Sequence, residues 1–132
     1  ITPHLTELAR LIGCKKEMIL SDFSNVMTGF RKNYKQVCMV KQVPACILYE
    51  NSIRINTTGN PGLASAGTGD VLTGIIASLV SQGLNCYDAA SVGAYIHGQT
   101  SDELVERKGY RGQLSTDLIE FLPSAIRSYE KP

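Results

Sequence analysis

Asn56–Gln82 reads NTTGNPGLASAGTGDVLTGIIASLVSQ, a glycine- and threonine-rich loop that runs into a helix with Asp70 at the join. Val71, Leu72, Ile75, Ile76, Leu79 and Val80 recur at helical spacing and predict one broad apolar face. Upstream, Gly59, Gly62, Gly67 and Gly69 open backbone angles closed to other residues and remove side chains that would block a ligand. Gly67, Thr68 and Gly69 fall where the helix begins, and that end offers unpaired N–H donors with a partial positive charge. The three residues are therefore a candidate anion hole for phosphate or a developing negative charge.

Asp70 stands in the first helical turn beside those donors. A carboxylate there can take a proton from a substrate while the N–H groups stabilise the resulting charge. Helix capping is the commoner role for an isolated Asp at such a position. The surrounding loop shifts the balance toward a site, because so many glycines together with Pro61 cost a globular chain order.

Outward from this stretch, 132 residues allow one domain with a moderate core, and a hydrophobic fraction of 43% is ordinary for a globular chain. A net charge of +1 gives no general attraction to nucleic acid or an anionic membrane, so any phosphate binding is local. Cys14, Cys38, Cys46 and Cys86 form no CxxC pair, and no His cluster accompanies them; no metal ligands are predicted. Cys38 and Cys46 lie in apolar strand-like runs and read as buried free thiols, which points to a reducing, cytoplasmic setting. No signal peptide or bilayer-length apolar run is visible, and no membrane association is expected.

Before the loop, Leu5, Leu8, Ala9 and Ile12 predict a short helix entered at Thr2 or His4 and stopped by Gly13. Asp22 to Phe30 predicts a second helix capped by Ser21 or Asp22, with Val26 and Phe30 inward, and Arg31 to Lys35 a basic connector. Val37–Val40, Cys46–Tyr49 and Ile53–Asn56 predict strands, the last two joined at Glu50-Asn51-Ser52 into a hairpin that feeds the glycine loop. After the central helix, Gln82-Gly83-Leu84 is a stop. Tyr87 to Arg107 predicts a long helix begun by Asp88, with Ala89, Ala90, Gly93 and Ala94 allowing close packing. His97 within it reads as a packing or hydrogen-bonding group. Leu114 to Tyr129 predicts a closing helix capped by Ser115 and bent at Pro123, with Leu118, Ile119, Leu122, Ala125 and Ile126 inward. Helices, strands, then three helices predict an α/β layer with helices over a sheet.

NTTGNPGLASAGTGDVLTGIIASL closely resembles the signature of the ADP/ATP-dependent NAD(P)H-hydrate dehydratases, a branch of the ribokinase-like superfamily. Thr2, Pro3, His4, Glu7, Arg10 and Leu11 fit a second stretch of that family, TPHxxEhxRL, where h is apolar. Ser115-Thr116-Asp117-Leu118 resembles its closing Ala-Ser-Asp-Leu element. At the end of the first strand the family has Lys-Gly, two variable residues and Thr. Here the segment reads Lys41-Gln42-Val43-Pro44-Ala45: Lys41 is kept, while Gln42 and Ala45 replace the Gly and the Thr.

The resemblance implies a ribokinase-like layered α/β fold of which residues 1–132 form a single partial domain, the C-terminal half. It follows that an exposed sheet edge or apolar face is expected, covered by the N-terminal half or by a second copy in a homo-oligomer. The resemblance also implies a lyase of metabolite repair that dehydrates NADHX or NADPHX to NADH or NADPH. ADP or ATP serves as co-substrate, and Mg²⁺ rides mainly on nucleotide and water. In those terms Asp70 is catalytic and contacts substrate, His4 contacts the hydrated nicotinamide, and Lys41, Gln42, Val43, Pro44, Ala45 and Gly69 contact the adenine nucleotide. Two other readings share the core motif: a ribokinase-like kinase of a vitamin precursor, and a nucleotide-binding remnant without turnover.

Overall fold

The computed structural model describes residues 1–130, which fall into two compact units, Ile1–Asn56 and Thr57 onward. In the first unit, three helices, α1 (Leu5–Ile12), α2 (Lys16–Ser21) and α3 (Phe23–Asn33), precede three strands, β1 (Cys38–Val40), β2 (Ala45–Tyr49) and β3 (Ser52–Asn56). The strands form an antiparallel sheet in the order β1-β2-β3. Cys46 lies opposite Val40 on one side and Ile55 on the other, so their side chains share a face. Cys38, Val40 and Leu48 from that face meet Leu8, Ala9, Ile19, Met27 and Phe30 from the helices in one core. The chain before α1 runs alongside β1, with Met39 N donating to Ile1 O at 2.9 Å and Lys41 N to Pro3 O at 2.8 Å.

The sequence predicts no helix over residues 16–21, where α2 forms, and the expected basic connector from Arg31 to Lys35 is corrected: α3 takes in Arg31, Lys32 and Asn33. Those basic residues suit the last turn because cations there oppose the negative end of the helix dipole. Of the alternatives Thr2 or His4 and Ser21 or Asp22, the caps are His4 and Asp22; Gly13 stops α1 as expected, at φ +68°, a left-handed angle that favours glycine. An exposed sheet edge or apolar face is expected, and the edge strand β3 carries apolar side chains open to solvent. Ile53 and Ile55 on β3 are 48% and 60% exposed.

The second unit holds a short 3₁₀ turn (Pro61–Leu63) and helices α4 (Thr68–Ser81), α5 (Cys86–Lys108) and α6 (Ser115–Arg127). The long α5 packs against both α4 and α6. Ala89, Ala90, Gly93 and Ala94 are buried along it, and a Cβ on Gly93 would come within 2.8 Å of Ile76 Cγ1. Small side chains thus let the helix axes approach, as their spacing predicts. The α5 cap is Asn85, not Asp88: Asn85 Oδ1 accepts from the Asp88 amide at 2.9 Å. At α6 the cap is likewise displaced. Ser115 is the first helical residue, and the Leu114 amide donates to Asp117 Oδ2 at 2.8 Å. Among the described residues no helix is long and apolar enough to cross a membrane.

Candidate functional site

In the second unit, the loop ahead of α4 is held at both ends. Gly59, at φ +100°, donates its amide to Asp102 Oδ2 at 2.8 Å, and Asn60 Nδ2 donates to Asp102 Oδ1 at 2.9 Å. Asn60 Oδ1 in turn accepts from the Gly62 amide at 2.9 Å, capping the 3₁₀ turn. At the other end the buried Thr68 hydroxyl lies 2.7 Å from Leu63 O and 2.9 Å from Ser65 O, so it ties the helix start back onto the loop. Gly67 caps α4 at φ +84°, a conformation strained for other residues. The Asp70 amide is engaged with Gly67 O at 3.1 Å.

The Asp70 side chain is exposed in the first turn of α4. It lines an open groove of about 570 Å³ between α4 and α6. Gly67, Asp70 and Ser115 stand where α4 begins, and Val71, Ile75, Leu79 and Leu122 give the groove an apolar lining. The broad apolar face expected of α4 is therefore shared. Leu72 and Ile75 are buried, Val71 and Leu79 line the groove, and Val80 is exposed. Ile119, expected inward on α6, is 58% exposed along the same groove, while Leu118 and Ala125 are the residues of α6 that enter the core.

In the first unit, His4 and Lys41 come together. They form a parallel bridge, and Glu7 spans them. His4 N donates to Glu7 Oε2 at 2.7 Å, the Glu7 amide donates to His4 Nδ1 at 3.2 Å, and Lys41 Nζ lies 4.0 Å from Glu7 Oε2. Because Nδ1 accepts, a neutral His4 ring carries its proton on Nε2. The His4 amide, and then the charges of Lys41 and Arg10, hold the Glu7 carboxyl below its usual value. Gln42, Val43 and Pro44 make the turn from β1 to β2, with Val43 97% exposed, and Ala45 is the first residue of β2.

His4 and Lys41 thus belong to one unit, and Gly67, Thr68, Gly69 and Asp70 to the other. The sequence reading gave no role to Glu7, Asp102, Asn60 or Gln113. For Glu7 the capping-box spacing was a usable signal. Nothing local could pair Asp102 with Gly59, 43 residues away.

Against known proteins, a family described as NAD(P)H-hydrate dehydratase matches residues 1–124. The chain belongs to that family. A bifunctional NAD(P)H-hydrate repair enzyme Nnr of Moorella thermoacetica is 41% identical over 132 residues, covering 99% of this chain and 25% of the relative. An ADP-dependent (S)-NAD(P)H-hydrate dehydratase of Neisseria meningitidis is 36% identical, covering 83% of this chain and 37% of that protein. Among solved structures, an ADP/ATP-dependent NAD(P)H-hydrate dehydratase from Bacillus subtilis, co-crystallized with ATP/Mg²⁺ and soaked with CoA, superposes with a TM-score of 0.91 at 25% identity. It covers 98% of this chain and 48% of that one. A ribokinase-like superfamily protein of Enterococcus faecalis matches with a TM-score of 0.80 at 29% identity, covering 99% of this chain and 44% of that one. The fold of this dehydratase-family chain is the ribokinase-like α/β fold. The chain spans about a quarter of the length of the bifunctional relative.

Proposed function

We propose that this chain carries part of the active site of a nucleotide-dependent NAD(P)H-hydrate dehydratase. The observation behind the reading is Asp70: an exposed carboxylate in the first turn of α4, next to Gly67–Gly69 and open to a groove. In the proposed reaction Asp70 takes the proton of the ring hydroxyl of NADHX or NADPHX as that oxygen attacks the terminal phosphoryl group of ADP or ATP. Gly67, Thr68 and Gly69 face the charge on that phosphoryl group. The phosphate then leaves with the C–O electron pair, and loss of a proton from the adjacent ring carbon restores the reduced nicotinamide.

His4 is the proposed contact to the hydrated nicotinamide, through a ring whose Nε2 lies 3.3 Å from Glu7 Oε1. Lys41 and the turn through Gln42, Val43, Pro44 and Ala45, with Gly69, are the proposed contacts to the nucleotide. Among the described residues no three His, Cys, Asp or Glu side chains group to hold a metal ion. Mg²⁺ bound with the nucleotide fits this set as an ion held by phosphates and water, neutralising phosphate charge. The two units are proposed parts of one ribokinase-like domain, completed by an N-terminal half or a second copy that covers Ile53 and Ile55. The free thiols suit a reducing cytoplasm.

The experiment is to incubate the protein with NADHX or NADPHX, ADP or ATP and Mg²⁺, and to follow the return of the reduced nicotinamide absorbance. The same assay is run with the chain supplemented by the N-terminal half of a relative's domain. Nucleotide-dependent recovery in either arm is the expected result. Consumption of a vitamin precursor, with the hydrate untouched in both arms, would instead assign a kinase.

A further inference from the structure

We infer that Asp102 is a positioning residue for the loop that leads to Asp70, an inference that rests on reading this loop as the ligand-binding one. Its two carboxylate oxygens are used separately, Oδ2 on the Gly59 amide at 2.8 Å and Oδ1 on Asn60 Nδ2 at 2.9 Å. Hydrogen bonds to a charged acceptor are shorter and stronger than neutral ones, and two from one rigid group fix orientation as well as distance. The turn they hold has little freedom on its other side. Gln113 is buried there, its Oε1 accepting from Ser101 Oγ at 2.6 Å, and a Cβ on Gly62 would meet Gln113 Cδ at 2.6 Å. The Gly59–Gly62 segment is therefore clamped between an exposed carboxylate on α5 and a buried amide that follows it. Thr68 ties down the far end of the same loop. Loss of the Asp102 clamp frees the near end, and the course of the chain to Gly67–Gly69 is no longer set by α5.

The test uses the intact chain and the variants Asp102→Ala and Asp102→Asn. The amide resonances of Gly59 and of Gly62 to Gly69 are followed by NMR, together with their hydrogen exchange and the melting midpoint. In the unaltered chain the Gly59 proton, bonded to a carboxylate, resonates downfield. Both variants move it upfield, and Asp102→Ala raises exchange at Gly59 and on to Gly69 by on the order of tenfold, while amides in the middle of α5 hold their rates. Asp102→Asn keeps the size but only one acceptor oxygen, so it shows the same pattern more weakly and serves if the alanine variant does not fold. Unchanged exchange from Gly62 to Gly69, or a rise matched along α5, overturns the inference. With hydrate as substrate, the alanine variant raises KM on the order of tenfold and lowers kcat less. If neither the unaltered chain nor the chain supplemented by the N-terminal half turns over hydrate, the repair reading falls while the exchange result still decides the role of Asp102.

Discussion

Ser115 closes over Gly67: a Cβ built on that glycine would stand 2.9 Å from Ser115 Oγ and 3.1 Å from Ser115 Cβ. The start of α6 thus rests on the residue that caps α4, within reach of Asp70. Two separate constraints require glycine here, the contact and the left-handed φ of +84°.

Gly67→Ala is therefore expected to destabilise the protein by about 1–3 kcal/mol, read as a lower urea midpoint. Adding Ser115→Ala removes the hydroxyl contact and leaves both the backbone strain and the nearby Cβ. The double variant should recover only part of the loss. Full recovery would mean that the backbone angle costs nothing.

Asp70→Asn keeps the shape of the side chain and removes its charge and basicity. The exposed position of Asp70 makes the effect on folding small, about 0.3–1 kcal/mol from the helix dipole alone. Nucleotide-dependent dehydration should fall by at least about a hundredfold, the scale of a lost general base. Thermal shifts produced by ADP or ATP with Mg²⁺ should persist. Turnover that survives the substitution would remove Asp70 from the proton transfer.

Asp117 supplies a pH-dependent prediction. Its carboxyl is held below the usual aspartate value, first by the Lys108 ammonium at 2.6 Å and then by the Leu114 amide. A depressed folded value means that the unfolded chain binds the proton more readily. The contribution is then complete above about pH 4 and disappears as pH falls through the folded value. Asp117→Asn can still accept from the Leu114 amide, so comparing it with the parent isolates the charge. The difference between their urea midpoints should be largest near neutral pH and shrink below about pH 4. A difference that stays constant into acid would show that the ion pair with Lys108 adds nothing.

The parts legible in the sequence were those whose signal is local. Leu5, Leu8 and Ile12 repeat at helical spacing between a capping His4 and a stopping Gly13, so α1 could be bounded at both ends. Gly67, Thr68, Gly69 and Asp70 are consecutive, and their placement at the start of α4 followed from the chain alone. The six-residue α2 was hidden because Lys15 provides no side-chain cap and too few turns exist for a period to show. Ile119 misled for a different reason. Helical spacing marks an apolar face, but it does not say whether that face meets a core or an open groove. Asp102 lay beyond reach since its partners are fixed only by the packing of α5.

The cysteines give a final prediction, one that checks the core of the first unit without any ligand. Cys38 is fully buried in the sheet, and burial pushes its thiol up to about 11. Cys46 is also buried, Cys14 is intermediate, and Cys86 is exposed at the first residue of α5. Alkylation needs both access and the thiolate, and a thiol with a value near 11 is ionised in only about one molecule in a thousand at pH 8. Iodoacetamide on the native protein should therefore modify Cys86 first and Cys14 more slowly. Cys38 and Cys46 should react only after denaturant is added, as read by peptide mass spectrometry. If Cys38 were alkylated as fast as Cys86 in native buffer, strand β1 would have to open to solvent. The packing of Leu8, Phe30 and Val40 around it would then describe only a minor state.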